Sequence, residues 1–172
     1  MNWSEAENDV EVELSDTQGH LRIDPLKVTS IVRTVMAAEG RRRASISIAI
    51  VDQAAIHAIN RTHLDHDWPT DVISFPLSAP EDKTLSGELV VSAEMATTTA
   101  AEHGIDPVDE LALYLVHGLL HLCGYDDRTE ADAARMRRRE GELLAAAGHS
   151  NPFDLNTTRL SHDPREHSPC SS

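Results

Sequence analysis

The segment that most constrains the fold of this chain is a mainly apolar stretch from residue 108 to residue 122. Asp106 and Pro107 stand immediately before it, an N-cap residue followed by a proline at the first helical position. A helix over residues 108–122 would be apolar on nearly every side, so no face could be given to water. The run is shorter than the ~20 residues that cross a bilayer. We therefore expect this helix to be buried inside a folded domain.

The rest of the chain shows strand-like and helix-like patterns before helices dominate the second half. Apolar residues alternate with acidic or small ones in the first two segments, which is the period of a half-buried strand. Pro76 indicates a strand that ends there or lies at the edge of the sheet. Strands are predicted over residues 10–14, 46–50, 72–77 and 87–92, and helices over residues 25–39, a short stretch after Asp52, a stretch from residue 93 that ends before Gly104, and residues 108–122 and 129–147.

These elements predict an α+β fold with a single domain, in which helices cover a small mixed sheet of about four strands. A length of 172 residues suits one domain. We expect that domain to cover residues 1–148 and a disordered polar tail to cover residues 149–172, where apolar side chains become scarce. The tail carries three histidines that are expected to lie in solvent, namely His149, His162 and His167.

The charge balance excludes some classes of protein. The chain has 15 Lys and Arg against 29 Asp and Glu, a formal net charge of −14. A protein that coats nucleic acids relies on many cationic contacts to phosphate, and an aromatic content of 3% leaves little for base stacking. Cys123 and Cys170 are the two cysteines, so no disulfide framework is expected. Without a signal-peptide pattern or a spanning segment, we expect a cytoplasmic protein with no membrane partner.

Two histidines of the buried helix, His117 and His121, are four residues apart. At that spacing their rings project from one face, close enough for one nitrogen of each to bind the same metal ion. Gly124 then ends the helix and lets the chain turn back. A carboxylate from Asp126 or Asp127 could supply a third ligand, and two imidazoles with one carboxylate and an open fourth position form a known catalytic zinc layout. The fold prediction thus includes a metal site on the buried helix.

A histidine pair of this spacing on a surface helix usually binds nothing. Here both rings are predicted to be buried, where imidazoles need polar partners, and one metal ion would serve both. Enzymes with an H-E-x-x-H motif use its glutamate as the general base, but position 118 is Gly in this chain. A hydrolytic reaction would therefore need another base or hydroxide supplied by the metal.

Three segments resemble motifs of the YbeY family of bacterial endoribonucleases. Residues 117–127 read HGLLHLCGYDD, which resembles the family's H-G-x-x-H-x-x-G-Y-D-H. Residues 59–77 read INRTHLDHDWPTDVISFPL and resemble its N-x-x-x-R-x-x-x-x-P-T-D-V-L-S-F-P region. Residues 87–92 resemble its G-D-I-x-I-S strand. The three motifs stand in the family's order within residues 46–147.

The resemblance implies a metal-dependent endoribonuclease with one divalent ion, usually zinc, held by three histidines. It also implies single-stranded rRNA as the substrate and the ribosome or its small subunit as the partner. The family acts in late ribosome maturation and quality control, including the 3′ end of the 16S rRNA. By position His117 and His121 match the first two ligands, with His117 also counted as catalytic, and the third family histidine falls on Asp127.

The aspartate at position 127 changes the chemistry expected of such a site. A carboxylate binds zinc at about 2.0–2.2 Å, but its shorter side chain requires the loop to come closer. It also removes one unit of positive charge, so we expect a higher pH optimum or a greater preference for harder ions such as manganese. Asp126, which the family also has, is interpreted as turn-forming or as a support for the ligands.

The family arginine upstream of P-T-D falls on Leu64, which cannot bind phosphate. Arg61 stands three residues earlier and therefore on the same face, if the short helix extends that far. From there Arg61 could act as a catalytic residue that holds the scissile phosphate. Its alternative is an ordinary salt bridge.

Several other polar residues have both a functional and a structural interpretation. Thr70 and Asp71 are expected to shape the loop beside the metal, and Asp71 could bond a histidine ring or form a turn. Cys123 is expected to be a small core residue rather than a ligand. Three further histidines match no ligand position and are expected in solvent, namely His57, His63 and His66.

Two other functions stay open beside the nuclease. The helix-borne histidine pair also resembles that of metallohydrolases acting on peptides, although Gly118 counts against this class. A ribosome-assembly factor with a structural metal and no cleavage is favoured by the altered third ligand and the displaced arginine. Contacts to RNA would come from the arginines within residues 41–43 and 135–139, and with a net charge of −14 they should be weak and salt-sensitive.

Overall fold

A computed structural model of the chain describes residues 8–65 and 70–155, and it confirms the predicted α+β fold. Predictions about His66, His162, His167 and residues 156–172 lie outside the described residues. The strands are β1 (Asp9–Asp16), β2 (Arg43–Val51), β3 (Val72–Pro76) and β4 (Leu85–Ser92), and the helices are α1 (Pro25–Ala38), α2 (Gln53–Leu64), α3 (Ala93–His103), α4 (Pro107–Leu122), α5 (Glu130–Ala146) and α6 (Pro152–Leu155).

The strands form one mixed sheet in the order β1-β2-β4-β3. β1, β2 and β4 run parallel, and β3 is antiparallel to β4. β3 is the edge strand that Pro76 predicted, because a proline cannot donate a hydrogen bond within a ladder. In β1 the apolar residues pack against the core and Glu11 and Glu13 are exposed, as their alternation predicted.

The starts of the long helices are fixed by side-chain caps. In each of α1 to α5 the residue before the helix accepts a hydrogen bond from a backbone N–H of the first turn, which satisfies a donor that the helix itself cannot. The capping residues are Asp24, Asp52, Ser92, Asp106 and Thr129.

Helices cover both faces of the sheet. On one face α1, α4 and α5 contribute to the larger hydrophobic core. On the other face α2 buries Ile56 in a smaller cluster with Ile73 and Val90. These two strand residues point away from α4, because successive residues of a strand face opposite sides and Val72 and Leu89 lie against α4.

Helix α4 is the buried helix that the apolar run predicted. Each residue from 110 to 122 except His121 is buried, and α4 contacts α1, α3, α5, α6, β3 and β4. Because it is enclosed on all sides, its position relative to the sheet is determined by core packing. Within the described part of the chain, no helix has both the length and the apolar character needed to cross a membrane.

Helix α4 lies directly on the sheet at Gly118. A Cβ atom at this position would lie 2.9 Å from Leu89 Cδ2 and 3.0 Å from Val72 Cγ2. The Ser74 hydroxyl oxygen would lie 3.2 Å from the same Cβ, and it donates a hydrogen bond to the Gly118 carbonyl at 3.0 Å. The missing side chain therefore permits the contact that places the neighbouring His117 relative to the sheet.

The described structure continues beyond Gly148. The expectation that His149 lies in solvent is wrong, because its side chain is 11% exposed and its Nδ1 atom lies 2.9 Å from Asp109 Oδ1. Helix α6 follows, with Pro152 buried, and packs against α4. A helix of one turn is too short to show an apolar period, which is why the pattern did not predict it.

We predict that Gly118→Ala destabilises the fold by about 1–2 kcal/mol, because overpacking of the helix–sheet contact outweighs the better helix propensity of alanine. Gly141→Ala is the matched control in α5, where the added Cβ would meet the flexible end of Asn151 at 3.0 Å. Urea unfolding measures both. A Gly118→Ala variant as stable as the wild type would contradict this account of the contact.

Candidate metal centre

The end of α4 folds the chain back over the last helical turn. The Tyr125 N–H donates to the Leu120 carbonyl and the Gly124 N–H donates to the His121 carbonyl, both at 3.0 Å. These two bonds form a Schellman motif, and Gly124 has the positive φ of 100° that this motif requires. The turn places the chain after α4 so that Asp127 lies beside the histidines.

Three ligand atoms converge at this turn. The Nε2 atoms of His117 and His121 are 3.1 Å apart. Asp127 Oδ2 lies 3.7 Å from the first and 3.6 Å from the second. Among the described residues these three form the one group of at least three His, Cys, Asp or Glu side chains that could hold a metal ion. The structure thus brings together all three ligands that the sequence analysis assigned.

The spacing of these atoms fits a tetrahedral zinc ion. Ligands at about 2.0–2.1 Å from such an ion are separated from one another by about 3.3 Å, and the observed separations lie on either side of that value. His117 is 7% exposed, whereas the side chains of His121 and Asp127 are about one-third exposed. One side of the group therefore faces solvent, where a fourth ligand would bind.

The hydrogen bonds of the two rings turn their lone pairs toward each other. His121 Nδ1 lies 3.1 Å from the Tyr125 carbonyl, which can only accept, so this nitrogen donates. His117 Nδ1 lies 2.5 Å from a carboxylate oxygen of Glu140 and donates to it. Both neutral rings then present the lone pair of Nε2 to the same point, and an added positive charge there relieves their repulsion.

The titration of His121 reflects the same need for positive charge. Burial lowers the pKa of this imidazole, but the hydrogen bond and the charge of Asp127 raise it, and the net shift is upward. The surroundings of His121 therefore favour a positive charge on or beside its ring.

Glu140 lies directly behind the candidate site and was not singled out from the sequence. It lies in α5 and is 1% exposed, and its Oε1 atom accepts from His117 while its buried Oε2 atom has no hydrogen-bond partner among the described residues. A carboxylate behind a ligating histidine fixes the ring and raises its basicity. The signal was present, because Glu140 stands on the apolar stripe that Met136, Leu143 and Leu144 form in α5.

The residues next to the ligands have structural roles. Asp126 Oδ1 accepts from the Asp127 N–H at 2.8 Å, which is the turn-forming role that was expected. Cys123 packs against the core, and burial raises the pKa of its thiol to about 11. At neutral pH it is a protonated thiol and not the thiolate that binds metals.

Position 118 excludes the base used by H-E-x-x-H enzymes. The Gly118 Cα faces Leu89, Val72 and Ser74 of the sheet, with no room even for a Cβ. A glutamate at this position would enter the core and not the metal site. Restoring a glutamate at position 118 would therefore not create the general base of H-E-x-x-H enzymes, because this position faces the sheet.

Arg61 lies in α2, which extends to Leu64, so the two residues share the predicted helix face. Its side chain is exposed and forms no ion pair with any described residue, which disfavours the salt-bridge alternative. α2 packs against α3, β3 and β4. No hydrogen bond or ion pair joins Arg61 to His117, His121 or Asp127, so its catalytic role stays a prediction.

The remaining candidates lie outside the metal group. Asp71 Oδ1 accepts from the Val72 N–H at 2.8 Å, so it forms a turn at the start of β3. His63 is exposed, as expected, and its ring meets Phe75 edge-on. His57 is half-buried in α2 and not fully in solvent.

Comparison with known proteins gives a consistent result. A family model described as Endoribonuclease YbeY matches residues 13–148. The chain is 42% identical over 149 residues to Endoribonuclease YbeY of Rhodopirellula baltica, covering 86% of this chain and 76% of the relative. It is 36% identical over 138 residues to Endoribonuclease YbeY of Carboxydothermus hydrogenoformans, covering 79% of this chain and 96% of the relative.

A solved structure supports the fold. The solution structure of a Thermotoga maritima protein matches with a TM-score of 0.55 and 19% identity, covering 95% of this chain and 99% of that one. The range matched by the family model begins within β1, extends past the end of α5 and contains the three converging side chains. By this coverage and by its identity to curated relatives, the chain belongs to the YbeY endoribonuclease family.

Proposed function

We propose that this chain is a metal-dependent endoribonuclease that cleaves single-stranded rRNA in late ribosome maturation and quality control, including the 3′ end of the small-subunit (16S) rRNA. The observation that carries the proposal is the convergence of His117, His121 and Asp127 on one point in a chain that belongs to an endoribonuclease family. The ribosome or its small subunit is the proposed partner, and the cytoplasm the proposed location.

Each residue of the site has a defined task in this proposal. His117 and His121 bind the ion through Nε2, Glu140 fixes the His117 ring, and Asp127 supplies an anionic ligand. A divalent cation held there supplies a Lewis acid for the scissile phosphate and for water. Arg61 is the proposed phosphate-binding residue, because an exposed guanidinium without an ion-pair partner among the described residues is available to a phosphate oxygen.

Zinc is the proposed metal. Two imidazole nitrogens and one carboxylate oxygen suit a borderline ion that accepts four ligands. With Asp127 bound, the site carries one more negative charge than a site of three neutral histidines. The affinity for harder ions is therefore higher than in a three-histidine site.

The two rival functions are affected differently by the structure. A peptide-cleaving metallohydrolase is disfavoured because position 118 faces the sheet. An assembly factor with a structural metal is favoured by the aspartate that replaces the third family histidine. Cleavage assays separate this second candidate from the nuclease.

We predict that His117→Ala lowers the single-turnover rate of cleavage of single-stranded RNA by at least about 100-fold, because the ion loses its most buried ligand. His20→Ala, which changes an exposed histidine that lies 3.5 Å from Glu94, is the control and should retain the wild-type rate. Equal rates for wild type and His117→Ala would overturn the proposal. RNA binding without cleavage by the wild type would favour the assembly factor.

We predict that Asp127→His shifts the pH–rate profile of the zinc-loaded protein toward lower pH by about one pH unit. The neutral ligand leaves more positive charge on the ion, so water at the open position loses its proton at lower pH. Single-turnover rates between about pH 6 and 10 measure the shift. Superimposable profiles would show that the charge of residue 127 does not control the reaction.

We predict that Glu140→Gln weakens zinc binding by about 10–100-fold, since the amide keeps the hydrogen bond to His117 but removes the charge behind the ring. Glu142→Gln, on the exposed side of α5, is the matched control. Competition with a chromophoric chelator measures both affinities. If both variants bind zinc as the wild type does, Glu140 has only a packing role.

A further inference from the structure

Two arginines lie against the loop that follows the metal-ligating helix. Arg41 Nη2 is 3.4 Å from the Cys123 carbonyl, and the Arg135 guanidinium carbon is 5.5 Å from the centre of the Tyr125 ring. Arg41 comes from the turn before β2 and Arg135 from α5, so distant parts of the sequence place both groups on one three-residue segment. Neither arginine forms an ion pair with a described carboxylate.

Two other arginines of α5, Arg137 and Arg139, are engaged differently. Arg139 Nε lies 2.7 Å from Glu39 Oε1, and its Nη1 atom lies 2.7 Å from Glu142 Oε2. The Arg137 guanidinium packs over the Phe153 ring at 5.9 Å. Arg137 and Arg139 are therefore held by the fold, whereas Arg135 and the exposed Arg138 form no ion pair with a described carboxylate. Of these two, Arg135 is the one that lies against Tyr125.

Tyr125 links Arg135 to the metal centre, while Arg41 contacts Cys123 two residues earlier in the chain. Its carbonyl accepts from His121 Nδ1 at 3.1 Å, while its ring lies under Arg135. Its hydroxyl donates to Glu39 at 3.1 Å, which holds the ring in place. The two arginines thus contact the turn that follows His121, Arg41 at Cys123 and Arg135 at Tyr125.

We propose that Arg41 and Arg135 bind backbone phosphates of single-stranded RNA immediately beside the metal centre, an inference that rests on the proposed nuclease function. Two uncompensated guanidinium groups attract a polyanion even in a chain whose net charge is −14. Because Arg135 covers the Tyr125 ring, this surface offers charge and not an open aromatic face. The contacts are therefore to phosphates and do not depend on the base sequence.

The test is the salt dependence of binding to a fluorescent single-stranded oligonucleotide with 2′-O-methyl riboses. Arg41→Ala and Arg135→Ala are each expected to weaken binding by about fivefold at low salt. Each should reduce the slope of log K against log salt by about 0.7, the value for one lost phosphate contact on a single strand. A defect of folding alone would not lower the slope by this increment.

Arg22→Ala is the matched control, because Arg22 is an exposed arginine that precedes the start of α1. Glu39, which bonds Tyr125, lies at the other end of this 14-residue helix, and the helix is about 21 Å long. The Arg22→Ala variant should leave both affinity and slope unchanged. If the wild type binds but all three variants behave like it, the phosphate surface is wrong and the nuclease proposal survives. If the zinc-loaded wild type binds no RNA, both proposals fail.

Discussion

The hydrogen bond between His117 and Glu140 is the interaction on which the candidate site depends. It joins α4 to α5 inside the core, where both side chains are almost fully buried. A buried carboxylate is costly unless it is paired, and its partner here is a ring whose other nitrogen faces His121 and Asp127. The stability of the core and the orientation of the candidate ligand His117 are therefore properties of the same contact.

The rest of the fold positions the helix and the turn that carry this contact. Gly118 lets α4 lie on β3 and β4, and the Schellman turn at Gly124 brings the chain back to His121. Tyr125 then contacts His121 through its carbonyl, Arg135 through its ring and Glu39 through its hydroxyl. The ligand-bearing turn is thus held by the helix that precedes it and by α1 and α5.

Much of this could be predicted from local pattern. The apolar run of α4, the capping residues Asp24 and Asp106, the alternation of β1 and the histidine pair all depend on spacing along one segment. The choice of Asp127 over Asp126 rested on the resemblance to the family. Strand order could not be predicted, because packing of distant segments decides it. Glu140 was missed although a carboxylate on an apolar helix stripe is a visible anomaly. The burial of His149 could not be predicted, because its partner Asp109 lies 40 residues away in sequence.

X-ray absorption spectroscopy of the zinc-loaded protein tests the central claim most directly, because it reports the atoms around the ion independently of activity. The account predicts two imidazole nitrogens at about 2.0–2.1 Å with oxygen ligands completing the shell, and loss of one imidazole in the His121→Ala variant. A sulfur ligand at about 2.3 Å, or a spectrum without imidazole scattering, would contradict it.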